Sequence, residues 1–228
     1  MKGIKTCPAV TTQHDFWCNL YKSKPEHMKK LFWAALPVMM MTLFAMRTSS
    51  DPLSIGSPLP KADKKMKDIT GKELSFKEAM KRNGLLVMFS CNTCPVVGKY
   101  QSRTLETGKF AMENEIGVVI LNSNEATRTD GESMEDMQLY AKEQGYQFSY
   151  LLDQNSEMAD AFGATRTPEI FLFDKTGKLV YHGAIDDNPG NASQVTRQHA
   201  KRAMEEMLAG KAVSVTTSRF VGCSIKRL

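Results

Sequence analysis

Hydrophobic and polar residues fall into short blocks whose period changes along the chain. Residues 85–90 read L-L-V-M-F-S, an apolar run with β-branched and aromatic members that predicts a buried strand. It runs into Cys91-Asn92-Thr93-Cys94-Pro95, and a helical pattern follows over 91–105, with a bend or restart at Thr107-Gly108 and continuation to 114. Proline has no N–H and is tolerated in the first turn of a helix, so Pro95 places the helix start at about Cys91. G-V-V-I-L-N at 117–122 predicts a second buried strand, and a polar loop follows at 127–131. Met134, Met137, Leu139 and Tyr140 mark an amphipathic helix over 132–144, closed by Gly145. A strand over 146–152 and a short helix over 156–162, with Ser156 as N-cap, come next. After the breaker Ala164-Thr165-Arg166-Thr167-Pro168, strands at 169–173 and 179–182 flank a hairpin turn at 174–178, and a final helix over 193–209 stops at Gly210. Upstream, residues 64–76 predict a hairpin turning at Thr70-Gly71, and 76–82 a short helix ended by Asn83-Gly84. The tail, 211–228, has little periodicity. This order predicts an α/β fold, a mixed central sheet flanked by helices on both faces, with an N-terminal hairpin extension.

The first fifty residues follow another pattern. Lys29 and Lys30 precede an uncharged apolar run at 31–46, and Arg47 with polar residues follows it. A basic start, an apolar run and a polar exit predict a secretory signal peptide over 28–50. An uncleaved anchor is the alternative, although the run is short for a span of about twenty residues and Pro37 interrupts it. Residues 1–27 then read as a non-native or disordered leader, with translation starting at Met28. Residues 51–60, with three prolines, read as a linker into a domain over 61–228. The expected location is an exported, oxidising compartment, the bacterial periplasm.

Composition narrows the chemistry. The chain has 228 residues, 42% hydrophobic and 24% charged, enough for one domain with a proper core plus appendages. Its net charge of +5 comes without a Lys/Arg-rich block or basic–aromatic alternation, which argues against a nucleic-acid partner. Of the five cysteines, Cys7, Cys18, Cys91, Cys94 and Cys223, only one pair is closely spaced, which excludes a disulfide-dense scaffold and a two-knuckle zinc site. Cys7, His14, Cys18 and His27 match no finger spacing, and neither a metal site nor a cofactor is called for. A dithiol with two intervening residues, between a buried strand and a helix start, is a thiol–disulfide exchange site. Cys91 is the expected attacker, exposed at the helix end where free N–H groups and the macrodipole favour an anion. Cys94, one turn in, is the expected shielded partner with the higher pKa. The implied partners are a disulfide-bearing or thiol protein substrate and a thiol reductase or oxidase that resets the pair. Membrane contact is expected only through an uncleaved anchor.

Four blocks carry a family resemblance: F-S-C-N-T-C-P-V-V at 89–97, T-P-E-I-F-L-F-D at 167–174, H-G-A-I-D-D-N at 182–188 and V-G-C-S-I-K at 221–226. From about Pro58 to the C-terminus the chain resembles the peroxiredoxin-like, AhpC/TSA-related branch of thioredoxin-fold redoxin-domain proteins. The resemblance implies a thioredoxin-like fold, a cis Pro168 lying against the dithiol, and Thr167 as the residue whose backbone pairs with a bound polypeptide. It makes Glu169, beside Pro168, the candidate proton acceptor, because Leu85 stands where thioredoxins bury an aspartate. Cys223, the odd thiol of an exported chain, is a candidate third redox thiol, with a dimer link or a plain buried cysteine as the alternatives. Thiol peroxidase activity is one alternative. Peroxiredoxins, however, place a proline and a Thr or Ser seven and three residues before the peroxidatic cysteine. Here those positions hold Val87 and Cys91 before Cys94, and Gly84 and Met88 before Cys91. A Cu(I)-binding module with His182 as distal ligand is the other alternative, although the copper-delivery relatives space their cysteines C-x-x-x-C.

Overall fold

The computed structural model describes residues 51–228; the expected leader (1–27) and the whole of the signal or anchor segment (28–50) lie outside the described residues. Seven strands form one sheet: β1 (Met66–Asp68), β2 (Glu73–Leu74), β3 (Leu85–Ser90), β4 (Gly117–Asn122), β5 (Ser149–Leu152), β7 (Glu169–Phe173) and β8 (Leu179–Gly183). Their spatial order is β2-β1-β5-β4-β3-β7-β8. The inner strands β3, β4 and β5 run parallel, while β1, β7 and β8 add antiparallel edges. Two short strands, β6 (Arg166–Thr167) and β9 (Cys223–Ser224), form a separate antiparallel pair.

Every residue of β3, β4 and β7 is buried, as expected of strands covered on both faces. Alternate side chains divide between two cores. On one face Leu85, Val87, Phe89, Leu121 and Phe171 pack with α1 (Phe76–Ala79) and α4 (Glu157–Phe162). On the other, Leu86, Met88, Ile120, Ile170 and Leu172 pack with α2 (Pro95–Glu113), α3 (Met134–Gln144) and α5 (His199–Leu208). Phe162 centres the first core, its ring set edge-on to Phe76, Phe89, Phe171 and Phe173 at 5.1–5.8 Å between centroids.

Four expectations change. First, α2 begins at Pro95, not Cys91, and Cys94 is its N-cap with extended φ −77°, ψ 120°. The ring of Pro95 disfavours the helical region for the residue before it, so the same proline that opens the helix holds Cys94 outside it. Second, α2 does not break at Gly108: a Cβ there would stand 2.5 Å from the Phe148 ring, so the glycine serves close packing, not termination. Third, α3 starts at Met134 because Ser133 and Asp136 form a reciprocal capping box, which leaves Glu132 outside the helix. The last helix likewise starts late, at His199, because Asp187 accepts the Thr196 N–H and ties the preceding stretch into a loop.

Fourth, the segments read as linker and tail are both tied down. Leu53, Gly56 and Leu59 donate backbone bonds to Phe162, Leu179 and Gly177. In the tail, Thr216 O accepts from His182 N, Ser218 N donates to His182 O, and Ile225 N donates to Thr165 O. Substituting Phe162→Ala removes four edge-on ring contacts and is expected to cost about 3–5 kcal/mol. Urea unfolding checks this through a lowered midpoint at unchanged slope.

Candidate active site

β3 ends at Ser90, and the next four residues carry the chain to the start of α2. Their conformation is set by a carboxylate. Glu132, fully buried, accepts the backbone N–H groups of Asn92 (2.9 Å) and Thr93 (3.1 Å) and the Thr93 hydroxyl (2.6 Å). The side-chain amides of Asn122 and Asn124, from the end of β4, also donate to it. Asn92 Nδ2 donates to Gly131 O, and Tyr150 Oη donates to Asn92 Oδ1 at 2.9 Å. Arg128 locks this shell from outside, donating to Asn122 O, Asp153 O and Glu132 O. Asn92 and Thr93 are thus anchors of the loop.

The second wall is the turn before β7. The Thr167–Pro168 peptide is cis, as the resemblance implies. Thr167 Oγ1 lies 3.1 Å from Cys91 Sγ, and Thr167 O lies 3.6 Å from Cys94 Sγ. The third wall is the tail. β9 pairs Cys223 with Thr167 and Ser224 with Arg166, and Cys223 is joined to Cys94 by a disulfide with 6.1 Å between the Cα atoms. Among the described residues, Cys91 is the free thiol.

This arrangement departs from the expected Cys91–Cys94 couple in two ways. The bond that is present joins Cys94 to Cys223. And Cys91, expected to be exposed and acidic, is 1% exposed, with its thiol pushed up to about 11. Burial is the main cause and the Glu132 charge adds to it. Hydrogen bonds from Thr167, the Cys94 N–H and Asn124 pull the other way and lose. The reason lies in the backbone: Cys91 stands four residues before the first residue of α2, and the N–H groups of Asn92 and Thr93 that follow it are taken by Glu132.

Glu169, the candidate proton acceptor, is fully buried and engaged elsewhere. It accepts the N–H groups of Thr165 (2.8 Å) and Arg166 (2.9 Å) and pairs with His182 Nε2 at 2.7 Å. It therefore braces the turn that carries Pro168. His182 stacks on Phe171 at 4.3 Å, which ties up the histidine a copper site would need. Asp186 is buried against Arg103, with 2.6 Å between carboxylate and guanidinium. Among the described residues, no group of three or more His, Cys, Asp or Glu is placed to hold a metal ion.

An α/β sheet whose dithiol loop faces a cis proline is a thioredoxin-like redox fold. The Redoxin family model matches residues 54–199, and the chain belongs to that family. Two solved structures are similar over most of their length. A conserved protein from Geobacillus kaustophilus described as uncharacterized is 31% identical, with TM-score 0.73 over 79% of this chain and 96% of that one. A hypothetical protein from Sinorhizobium meliloti is 34% identical, with TM-score 0.71 over 80% and 99%. A putative protein disulfide isomerase from Bacteroides thetaiotaomicron, 18% identical with TM-score 0.53 over 69% and 91%, shares the fold. A search of curated proteins finds no match.

Two outcomes are expected of Cys91 in the Cys94–Cys223 form. Because its pKa of about 11 lies well above neutrality, its thiolate fraction grows tenfold per pH unit, so iodoacetamide labelling climbs without a plateau between pH 7 and 9. Glu132→Gln removes the nearby charge, lowers the Cys91 pKa and raises labelling at pH 8 several-fold. The same change puts an amide donor against the loop N–H groups and costs about 2 kcal/mol in urea unfolding.

Proposed function

We propose that the protein is a thiol–disulfide oxidoreductase acting on protein thiols or disulfides through Cys91 and Cys94. The observation that carries this reading is the meeting of three sulfur atoms, those of Cys91, Cys94 and Cys223, at the cis Thr167–Pro168 turn. In the reducing direction the Cys91 thiolate attacks a substrate disulfide; the substrate S–S bond breaks, a mixed disulfide forms, and the released sulfur takes a proton. Cys94 then attacks the Cys91 sulfur, the mixed disulfide breaks, and the reduced substrate leaves with the Cys91–Cys94 disulfide behind it. Two electrons pass from the protein to the substrate, and the reverse sequence oxidises a dithiol.

The electrostatics support a slow but strong nucleophile. A thiol with a pKa near 11 is nearly all protonated at pH 7, yet the anion it forms is more nucleophilic than a low-pKa thiolate. The Cys94 N–H, directed at the Cys91 sulfur, stabilises that anion as it forms. Cys94, at the N-cap of the nineteen-residue α2, occupies the position where the helix end favours a leaving thiolate. Thr167 presents its backbone beside the sulfurs, the place for an extended partner chain. Export belongs to the same proposal, since an oxidising compartment supplies both disulfide substrates and the need for a resetting partner. Among the described residues no helix is long and apolar enough to cross a membrane.

Insulin-disulfide reduction with a thiol donor tests the assignment. Cys91→Ser is expected to lose activity at least a hundredfold, whereas Cys94→Ser accumulates a mixed disulfide at Cys91, detectable by mass spectrometry. Equal residual turnover in both variants would remove the roles given to them. Peroxide consumption outpacing insulin reduction would favour the thiol peroxidase reading instead.

A further inference from the structure

The C-terminal tail sits where a partner polypeptide would. β9 forms antiparallel backbone pairs with β6, Cys223 against Thr167 and Ser224 against Arg166. Ile225 N donates to Thr165 O and Lys226 N to Asn124 Oδ1, while Ala126 N donates to Lys226 O. Ile225 is buried in the first core, and Cys223 is bonded to Cys94. Backbone pairing, a side-chain anchor and a sulfur placed on the dithiol are what recognition of an extended thiol peptide requires. Gly222 shows how close the fit is. A Cβ at that position would lie 2.1 Å from Thr167 O and 3.3 Å from Pro168 N, distances that backbone atoms cannot yield cheaply.

We propose that the segment Gly222-Cys223-Ser224-Ile225-Lys226 is an internal ligand of the redox site, holding the oxidised protein in a latent disulfide isomer. This rests on the thiol–disulfide reading above. In the latent isomer the Cys94–Cys223 bond and β9 occupy the docking edge, and Cys91 is a buried thiol. Release is an intramolecular exchange: the Cys91 sulfur attacks the Cys94 sulfur, the Cys94–Cys223 bond breaks, a Cys91–Cys94 bond forms, and the proton lost by Cys91 passes to Cys223. One disulfide is present before and after, so no outside oxidant or reductant is consumed. The active isomer carries the disulfide between the two loop cysteines and a tail free to leave β6. The same template defines a substrate class: an extended segment whose cysteine follows a glycine, with a small polar and then an aliphatic residue after it.

The test uses the full chain, oxidised, quenched in acid and mapped for disulfide connectivity, alongside Gly222→Ala and Cys223→Ser. Wild type is expected to map as Cys94–Cys223. Gly222→Ala should shift at least ten parts in eleven of the protein to Cys91–Cys94, and Cys223→Ser should hold only that bond. Both oxidised variants should oxidise a reduced protein substrate with initial rates at least fivefold above wild type. A wild-type map showing Cys91–Cys94 with Cys223 free overturns the proposal, as does an active wild type that neither variant outpaces. If connectivity shifts as expected while none of the three proteins exchanges with a protein substrate, the internal ligand stands and the oxidoreductase reading falls.

Discussion

A single buried carboxylate shapes this site. Glu132 enters from the turn before α3 and captures two consecutive N–H groups of the loop between Cys91 and Cys94. Unpaired, those donors would be a costly feature at the end of a fully buried strand. Paired, they fix the loop in a non-helical path and leave Cys91 beneath Thr167. The carboxylate is in turn satisfied by hydrogen bonds from the loop, Asn122 and Asn124, while Arg128 pairs with Glu125 and donates to the surrounding carbonyls and Asn122 Oδ1. Its negative charge is therefore felt at the Cys91 sulfur, which helps to keep that thiol protonated.

The two facing walls are braced by different means. The loop wall hangs on Glu132, whereas the proline wall hangs on Glu169, which gathers Thr165 N, Arg166 N and His182. Both carboxylates are fully buried, and each accepts two backbone N–H groups. Buried acids satisfied in this way orient a backbone with little freedom to relax. The result is that Thr167 meets Cys91 through its side chain, Cys94 through its carbonyl, and Cys223 through its strand pairing.

Much of the fold was legible before the structure. Residues 85–90, 117–122 and 169–173 are short continuous apolar runs because both of their faces are covered, and the turn at 174–178 carries its own Asp-x-x-Gly chemistry. The helix starts four residues later than the sequence pattern suggests because Pro95 acts twice: it opens the helix and also bars Cys94 from helical backbone. Glu132 was read as the first residue of a helix. The Ser133–Asp136 pair, a capping box visible in the sequence, was the signal that it lies outside. The tail had no such signal. Its order comes from one-off backbone pairing with β6 and β8, which leaves no period to detect, and only the resemblance of V-G-C-S-I-K marked it.

The attachment of that tail to β8 has a consequence for how the third sulfur behaves once free. His182 is bonded through both its N–H and its carbonyl to Thr216 and Ser218, so the tail is moored upstream of Cys223 at Ser218. Five residue steps separate that mooring from the sulfur, a reach of roughly 17 Å even when fully extended. A tethered thiol at such range experiences an effective concentration on the order of millimolar or more, whatever the amount of protein in solution. Any partner polypeptide therefore competes with a rival that cannot be diluted away.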